Sequence, residues 1–216
     1  MRFDLVRLKN DETVFPFKYI LSIDQIGDML FFSGEWWKYP RYVNIKRDYT
    51  NFTEEDITLI KKPPRIAPQV FGLTENTNSV RKSDIFINFS YRYKYIDGDY
   101  SALSFYSDTV FEPKSGFEIN AERENKGMVN KWDSVSIRVN SGGKNVTDIE
   151  VYAREHGSNT AYLIHSVNKK KAGIADNAYI ANIKYSFSKN YTVLSTEETA
   201  MLYSNIPMYP YTQTGA

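Results

Sequence analysis

Cysteine is absent from this 216-residue chain. A disulfide framework and a thiolate metal site are therefore both excluded. Histidine is nearly absent too: only His156 and His165 occur. Neither has the ligand spacing of a zinc centre, and no GxSxG elbow accompanies them, so a Ser-His-Asp hydrolase has no sequence support. No run approaches the roughly 18 apolar residues that a membrane-spanning helix needs. The start, Met1-Arg2-Phe3-Asp4, is charged early and has no apolar stretch of the kind that marks a signal peptide. The formal net charge is only +1, too small to draw the chain as a whole onto nucleic acid or an anionic membrane.

Aromatic residues are plentiful. Seventeen tyrosines and 13 phenylalanines favour strands and amphipathic surfaces over helices. The clearest pattern is 85–107. There Ile85, Ile87, Phe89, Tyr91, Tyr93 and Tyr95 alternate with Asn88, Ser90, Arg92 and Lys94. An Asp97-Gly98 pair follows, which signals a β-hairpin with one dry face. A two-residue loop would set Tyr91 opposite Ser104 and mix charge with apolar side chains on one face. A three-residue loop, Ile96-Asp97-Gly98, sets Tyr91 opposite Leu103 and Phe89 opposite Phe105. Because a one-residue slip turns every side chain over, the pattern predicts the three-residue loop, with Gly98 in the left-handed region.

Short strands are predicted at 3–8, 14–23, 28–33 and 42–45, forming a small β-meander. The Pro-rich, charged stretch 46–68 reads as a linker, with a short strand at 56–60 inside it. The domain plan is 1–62, a partial β-meander with its linker; 63–194, a sandwich; and 195–216, a short helix and tail. Within the sandwich, Val135, Ile137 and Val139 alternate with polar residues, as do Ile149, Val151 and Ala153. Strands at 161–167 and 179–187 follow, and 191–194 completes one more strand or hairpin. The fold class is all-β: an antiparallel β-sandwich, immunoglobulin or fibronectin type III-like. Ser195 as N-cap with Glu198 three residues on predicts one short C-terminal helix running to about Ser204.

Several other features have ordinary explanations. Asp97-Gly98-Asp99 fails as a calcium loop, because Ala102 and Asp108 occupy the positions where glycine and glutamate belong. Glu118, Glu122 and Glu124 lie in a mixed-charge polar run and read as a solvated loop. Lys61-Lys62-Pro63-Pro64-Arg65 and Lys169-Lys170-Lys171 are basic clusters beside acids. The aromatic loop is different. Trp36, Trp37, Tyr39, Arg41 and Tyr42 have the composition of an interface, where Trp, Tyr and Arg concentrate.

Five ordered segments resemble the tail-associated stabilization or muzzle proteins of crAss-like bacteriophages. They are 36–45 (WWKYPRYVNI), 56–64 (DITLIKKPP), 89–104 (FSYRYKYIDGDYSALS), 145–155 (NVTDIEVYARE) and 197–207 (EETAMLYSNIP). Proteins of that family are far longer, so the resemblance implies a chain matching a segment of one: a processed piece, an ordered fragment or a separate short gene product. It implies a virion component made in the bacterial host cytoplasm and built into the tail below the portal, around the genome exit path. Its partners would be other tail or portal-proximal proteins and further copies of itself in a ring, without membrane insertion. Lysines facing the channel would touch passing DNA nonspecifically. No enzyme activity, cofactor or metal is expected. The competing expectation is a fibronectin-like binding module that recognises a host glycan or surface protein.

Overall fold

The computed structural model describes residues 20–34, 40–49, 52–73, 85–110, 121–122 and 132–204. Contact density divides the chain into two compact units, Met1–Lys62 and Pro63–Ala216.

In the first unit, β1 (Ile20–Ile26), β2 (Met29–Gly34) and β3 (Arg41–Asn44) form an antiparallel sheet in that order. Ile26 pairs with Met29, so Gly27-Asp28 is the whole β1–β2 loop. Gly27 supplies the positive φ, +59°, that so tight a hairpin requires. The expected strand at 56–60 is not formed. Glu54–Ile57 is instead a single helical turn, α1, and Thr58 makes only an isolated bridge to Arg41. Local chemistry decides this. The Asp56 carboxylate accepts the Thr53 amide at 2.7 Å and the Thr53 hydroxyl at 2.9 Å, and the Asp56 amide donates to the Thr53 carbonyl at 3.1 Å, which closes the first turn. Ile57, fully buried, then packs with Phe32 and the partly buried Tyr49 and Phe52.

In the second unit, β4 (Gln69–Leu73), β6 (Ser134–Asn140) and β9 (Tyr179–Ser186) form a three-stranded antiparallel sheet with β6 in the centre. The other sheet has the order β10 (Thr192–Val193), β8 (Ala161–Asn168), β7 (Val146–Glu155), β5 (Ile87–Tyr95). Both sheets contribute to one core. Ile87, Phe89, Tyr91, Ile149 and Val151 come from the four-stranded sheet, and Val135, Ile137, Val139 and Ile183 from the other. Burial of each of these valine, isoleucine and phenylalanine side chains stabilises the fold by about 1.5–3 kcal/mol. Trp132 closes one end: it stacks on Phe187 at 4.8 Å and donates its indole N–H to the Val110 carbonyl. The molecule is thus all-β with sandwich-like layering, and a short helix, α2 (Thr196–Ser204), follows the last strand. Its cap is reciprocal, Ser195 Oγ to the Glu198 amide and the Glu198 carboxylate to the Ser195 amide.

Two connections differ from the expectation. The stretches 179–187 and 191–194 are not a hairpin, because β9 joins the three-stranded sheet and β10 pairs with β8. Stacking of Tyr191 on Tyr185 at 5.0 Å, with the Tyr191 hydroxyl taking the Ser186 amide, carries the chain across the core between them. The immunoglobulin plan keeps its first two strands in one sheet. Here β4 and β5, the first two described strands of this unit, lie in opposite sheets.

The loop after β5 has three residues, as the apolar pattern predicts. Tyr95 donates to the Asp99 carbonyl, and Gly98 sits at φ +90°. The register beyond it does not follow the pattern. Tyr91 is bonded to Ser104 and Phe89 to Ser107, where Leu103 and Phe105 were expected. The returning chain takes three residues for every two of β5, because serine hydroxyls stand in for backbone acceptors at each step.

Candidate functional site

Alternation along β5 and β7 buries one face and leaves the other to polar residues, and that outer face holds an organised cluster. Arg92 and Glu150 are cross-strand partners. The Arg92 guanidinium binds one Glu150 oxygen through Nε at 2.9 Å and a terminal nitrogen at 2.8 Å. Tyr152 donates its hydroxyl to the same oxygen at 2.5 Å. Burial, reinforced by this bond, pushes the Tyr152 phenol well above its ordinary range, so it remains a donor at any ordinary pH. The fixed guanidinium stands 4.0 Å from the centre of the Tyr100 ring, and Lys94 lies 5.2 Å from it.

The cluster continues along β7. Arg154 sits between Tyr106 and Tyr203, 5.6 and 5.5 Å from their ring centres. Burial, with Tyr106 beside it, pushes the Tyr203 phenol up to about 12. Tyr203 arrives there because α2 packs on this same face, where buried Leu202 meets Tyr152 and Ala161. Beside the helix is a cleft of about 440 Å³ lined by Asn159, Thr160, Leu194, Thr199 and Tyr203 among others, with no acid or base in its wall. Tyr100, Phe105 and Tyr106 remain 38%, 54% and 37% exposed. On this face Glu150 fixes Arg92 and Tyr152, while Arg154 is held by the Ser158 carbonyl beside Tyr106 and Tyr203. Such a face can dock a partner with little loss of side-chain entropy.

Neither histidine belongs to this cluster. His165 is on β8, opposite Val151, and burial together with Lys189 lowers its pKa. His156 follows the end of β7. Among the described residues, no three His, Asp or Glu side chains gather as a metal site.

The residues predicted as an interface divide. Trp36, Trp37 and Tyr39 lie outside the described residues. Arg41 and Tyr42 are on β3, 5% and 2% exposed. Tyr42 is covered by Lys61, whose ammonium donates to its hydroxyl at 3.2 Å and to the Thr58 carbonyl at 3.1 Å. Lys169 is buried as well, donating to the carbonyls of Gly142 and Gly143 and to Asp176 at 2.7 Å. Each basic cluster therefore has one lysine committed to the protein itself, while Lys62, Lys170 and Lys171 stay exposed. Sequence reasoning passed over the Tyr–Arg face. Its signal was the polar half of the alternation, Arg92-x-Lys94 facing Glu150-x-x-x-Arg154, followed by Tyr100 and Tyr106. No protein-family model, curated protein or solved structure matches this chain.

Proposed function

We propose that this chain is a non-enzymatic structural module of a bacteriophage tail, acting as an assembly and interface element around the genome exit path. The observation that carries the interface part is the outer face of the four-stranded sheet, where Glu150 holds Arg92 and Tyr152 in place beside exposed Tyr100 and Tyr106. The tail setting rests on the five ordered segments that resemble crAss-like phage tail proteins. On this reading the partners are tail or portal-proximal proteins and further copies in a ring. Exposed Lys170 and Lys171 are then the lysines of their cluster placed for nonspecific contact with passing DNA. The sandwich is a spacing module of the immunoglobulin or fibronectin type III kind, with β5 carried into the opposite sheet from β4.

Mass spectrometry of purified virions tests the setting: peptides of this chain are expected, and their absence rejects it. Tyr106→Ala and Arg154→Ala test the face. Both should fold and yet fail to enter particles.

A second reading, a module for host glycans, is favoured by the exposed rings of Tyr100 and Tyr106, which could stack on sugars. A glycan array compared with Tyr100→Ala and Trp36→Ala separates the two, since only a glycan module gives signal that these changes remove.

A further inference from the structure

The edges of the two sheets in the second unit are not alike. A sheet edge is a row of unpaired donors and acceptors, and folded proteins block it with short strands, bulges or covering segments. Three of the four edges here are blocked. β10 is only two residues long. β5 is covered along its length by 99–107, whose serines take its amides. β9 is broken by a register shift and by Asn182 at φ +69°. Its far end is plugged by the Tyr191 hydroxyl, which takes the Ser186 amide at 2.8 Å.

β4 carries none of these devices. Its register against β6 runs from Gln69 to Leu73 without a shift. The strand contains no proline and no charge. Among the described residues, nothing pairs with its other side. On the outer face Phe71 stands 56% exposed, in register with Ser136 and, through it, Lys184. A large apolar ring in that polar row is thus left more than half exposed.

We infer that β4 is the edge at which the three-stranded sheet extends, by antiparallel pairing with β4 of a second copy about a two-fold axis at Phe71. The strand suits itself as partner. Such a pairing sets Phe71 against its own counterpart, Val70 against Gly72 and Gln69 against Leu73, with no like charges opposed. The two three-stranded sheets become one of six strands, and the two phenylalanines cover each other. This contact is isologous, unlike the head-to-tail contact that closes a ring. It stands on the strand edges alone, independent of the Tyr–Arg face and of the tail setting.

The full chain contains no cysteine, which makes the test direct. Directly opposed Cβ atoms in an antiparallel pair lie about 4.5–5.5 Å apart, close to the span of a disulfide. Phe71→Cys should therefore oxidise to a covalent dimer, whereas Ile96→Cys, 59% exposed at the β5 turn, should not. In sedimentation equilibrium the unaltered chain should associate with rising concentration. Phe71→Lys, checked for folding by circular dichroism, should weaken that association about tenfold or more, since it opposes like charges. A chain that stays monomeric, a Phe71→Lys variant that associates as before, or equal cross-linking at both cysteine positions would overturn the inference. None of these results bears on whether the chain is found in virions.

Discussion

Tyr91 and Ser104 exchange two hydrogen bonds of different kinds. The Tyr91 amide donates to the Ser104 hydroxyl at 3.1 Å, and the Ser104 amide donates to the Tyr91 carbonyl at 2.8 Å. Tyr93 with Ser101 and Phe89 with Ser107 repeat the arrangement. Each hydroxyl in turn donates a hydrogen bond to the carbonyl of the next residue, Ala102, Phe105 or Asp108. All three serines are buried, and each of their hydroxyls both accepts and donates.

Ser104→Ala should leave the Tyr91 amide buried without an acceptor. The expected loss of stability is about 1–3 kcal/mol, the cost of an unsatisfied buried donor. Hydrogen exchange at the Tyr91 amide should accelerate, while exchange at Ile149 on β7 should change only with global stability. Ser104→Thr, which keeps the hydroxyl, should restore protection at Tyr91.

Gly142 and Gly157 both have positive φ, +68° and +79°, but only Gly142 is crowded. A Cβ there would come within 2.8 Å of Val146 and 2.9 Å of the Tyr93 ring, whereas at Gly157 it meets nothing within 4 Å. Gly157→Ala should cost about 1–2 kcal/mol, the backbone term alone. Gly142→Ala should cost about 1–3 kcal/mol more through overpacking. Urea denaturation of the two variants measures the difference.

Lys169 ties the β6–β7 turn to the loop after β8, through the Gly142 and Gly143 carbonyls and Asp176. Lys169→Met keeps the buried stem and removes the donors. Loss of about 1–3 kcal/mol is expected, mainly from the two carbonyls, since Asp176 is half exposed and can turn to water. Amides of 170–178 should exchange faster than those of β7.

His165 titrates below its ordinary 6.5 in the folded chain, first because of burial and then because of Lys189. The unfolded chain therefore binds the proton more readily. The contribution of His165 is complete above pH 6.5 and is lost as pH falls from there through its folded pKa. His165→Gln should flatten this part of the stability curve. Glu198 adds a loss at lower pH, because the Ser195 amide and hydroxyl lower its carboxyl. Its contribution is complete above the ordinary value of 4.5 and is lost as pH falls through the lowered one. Helix signal from α2 in Glu198→Gln should be insensitive to pH in that range.

The strands of the core were legible in the sequence because alternation records burial directly. Phe89, Tyr91, Ile137 and Val151 all stand in strands, all with 0% exposure. The α2 cap was legible for an equally local reason, Ser195 and Glu198 being three residues apart. The register of 99–107 departs from the apolar pattern because serine hydroxyls, not apolar side chains, set it. A serine every third residue, at 101, 104 and 107, was visible. Its meaning depends on a hydroxyl acting as a backbone acceptor, which no two-residue period contains. The turn at 54–57 was missed for a similar reason, since Thr53-x-x-Asp56 outweighs the β-branched residues after it. The Tyr–Arg face needs two strands in register, Arg92 on Glu150, and residues 58 apart cannot announce that pairing alone.

The mismatch between β5 and its covering segment works like a vernier. Sliding that segment by one residue, or by two, would put a leucine, a phenylalanine or a tyrosine where a hydroxyl must sit. Only a slide of three brings a serine back into place. Insertions or deletions between Ser101 and Ser107 should thus be tolerated in steps of three residues and rejected otherwise, a reading frame enforced by geometry in the finished protein.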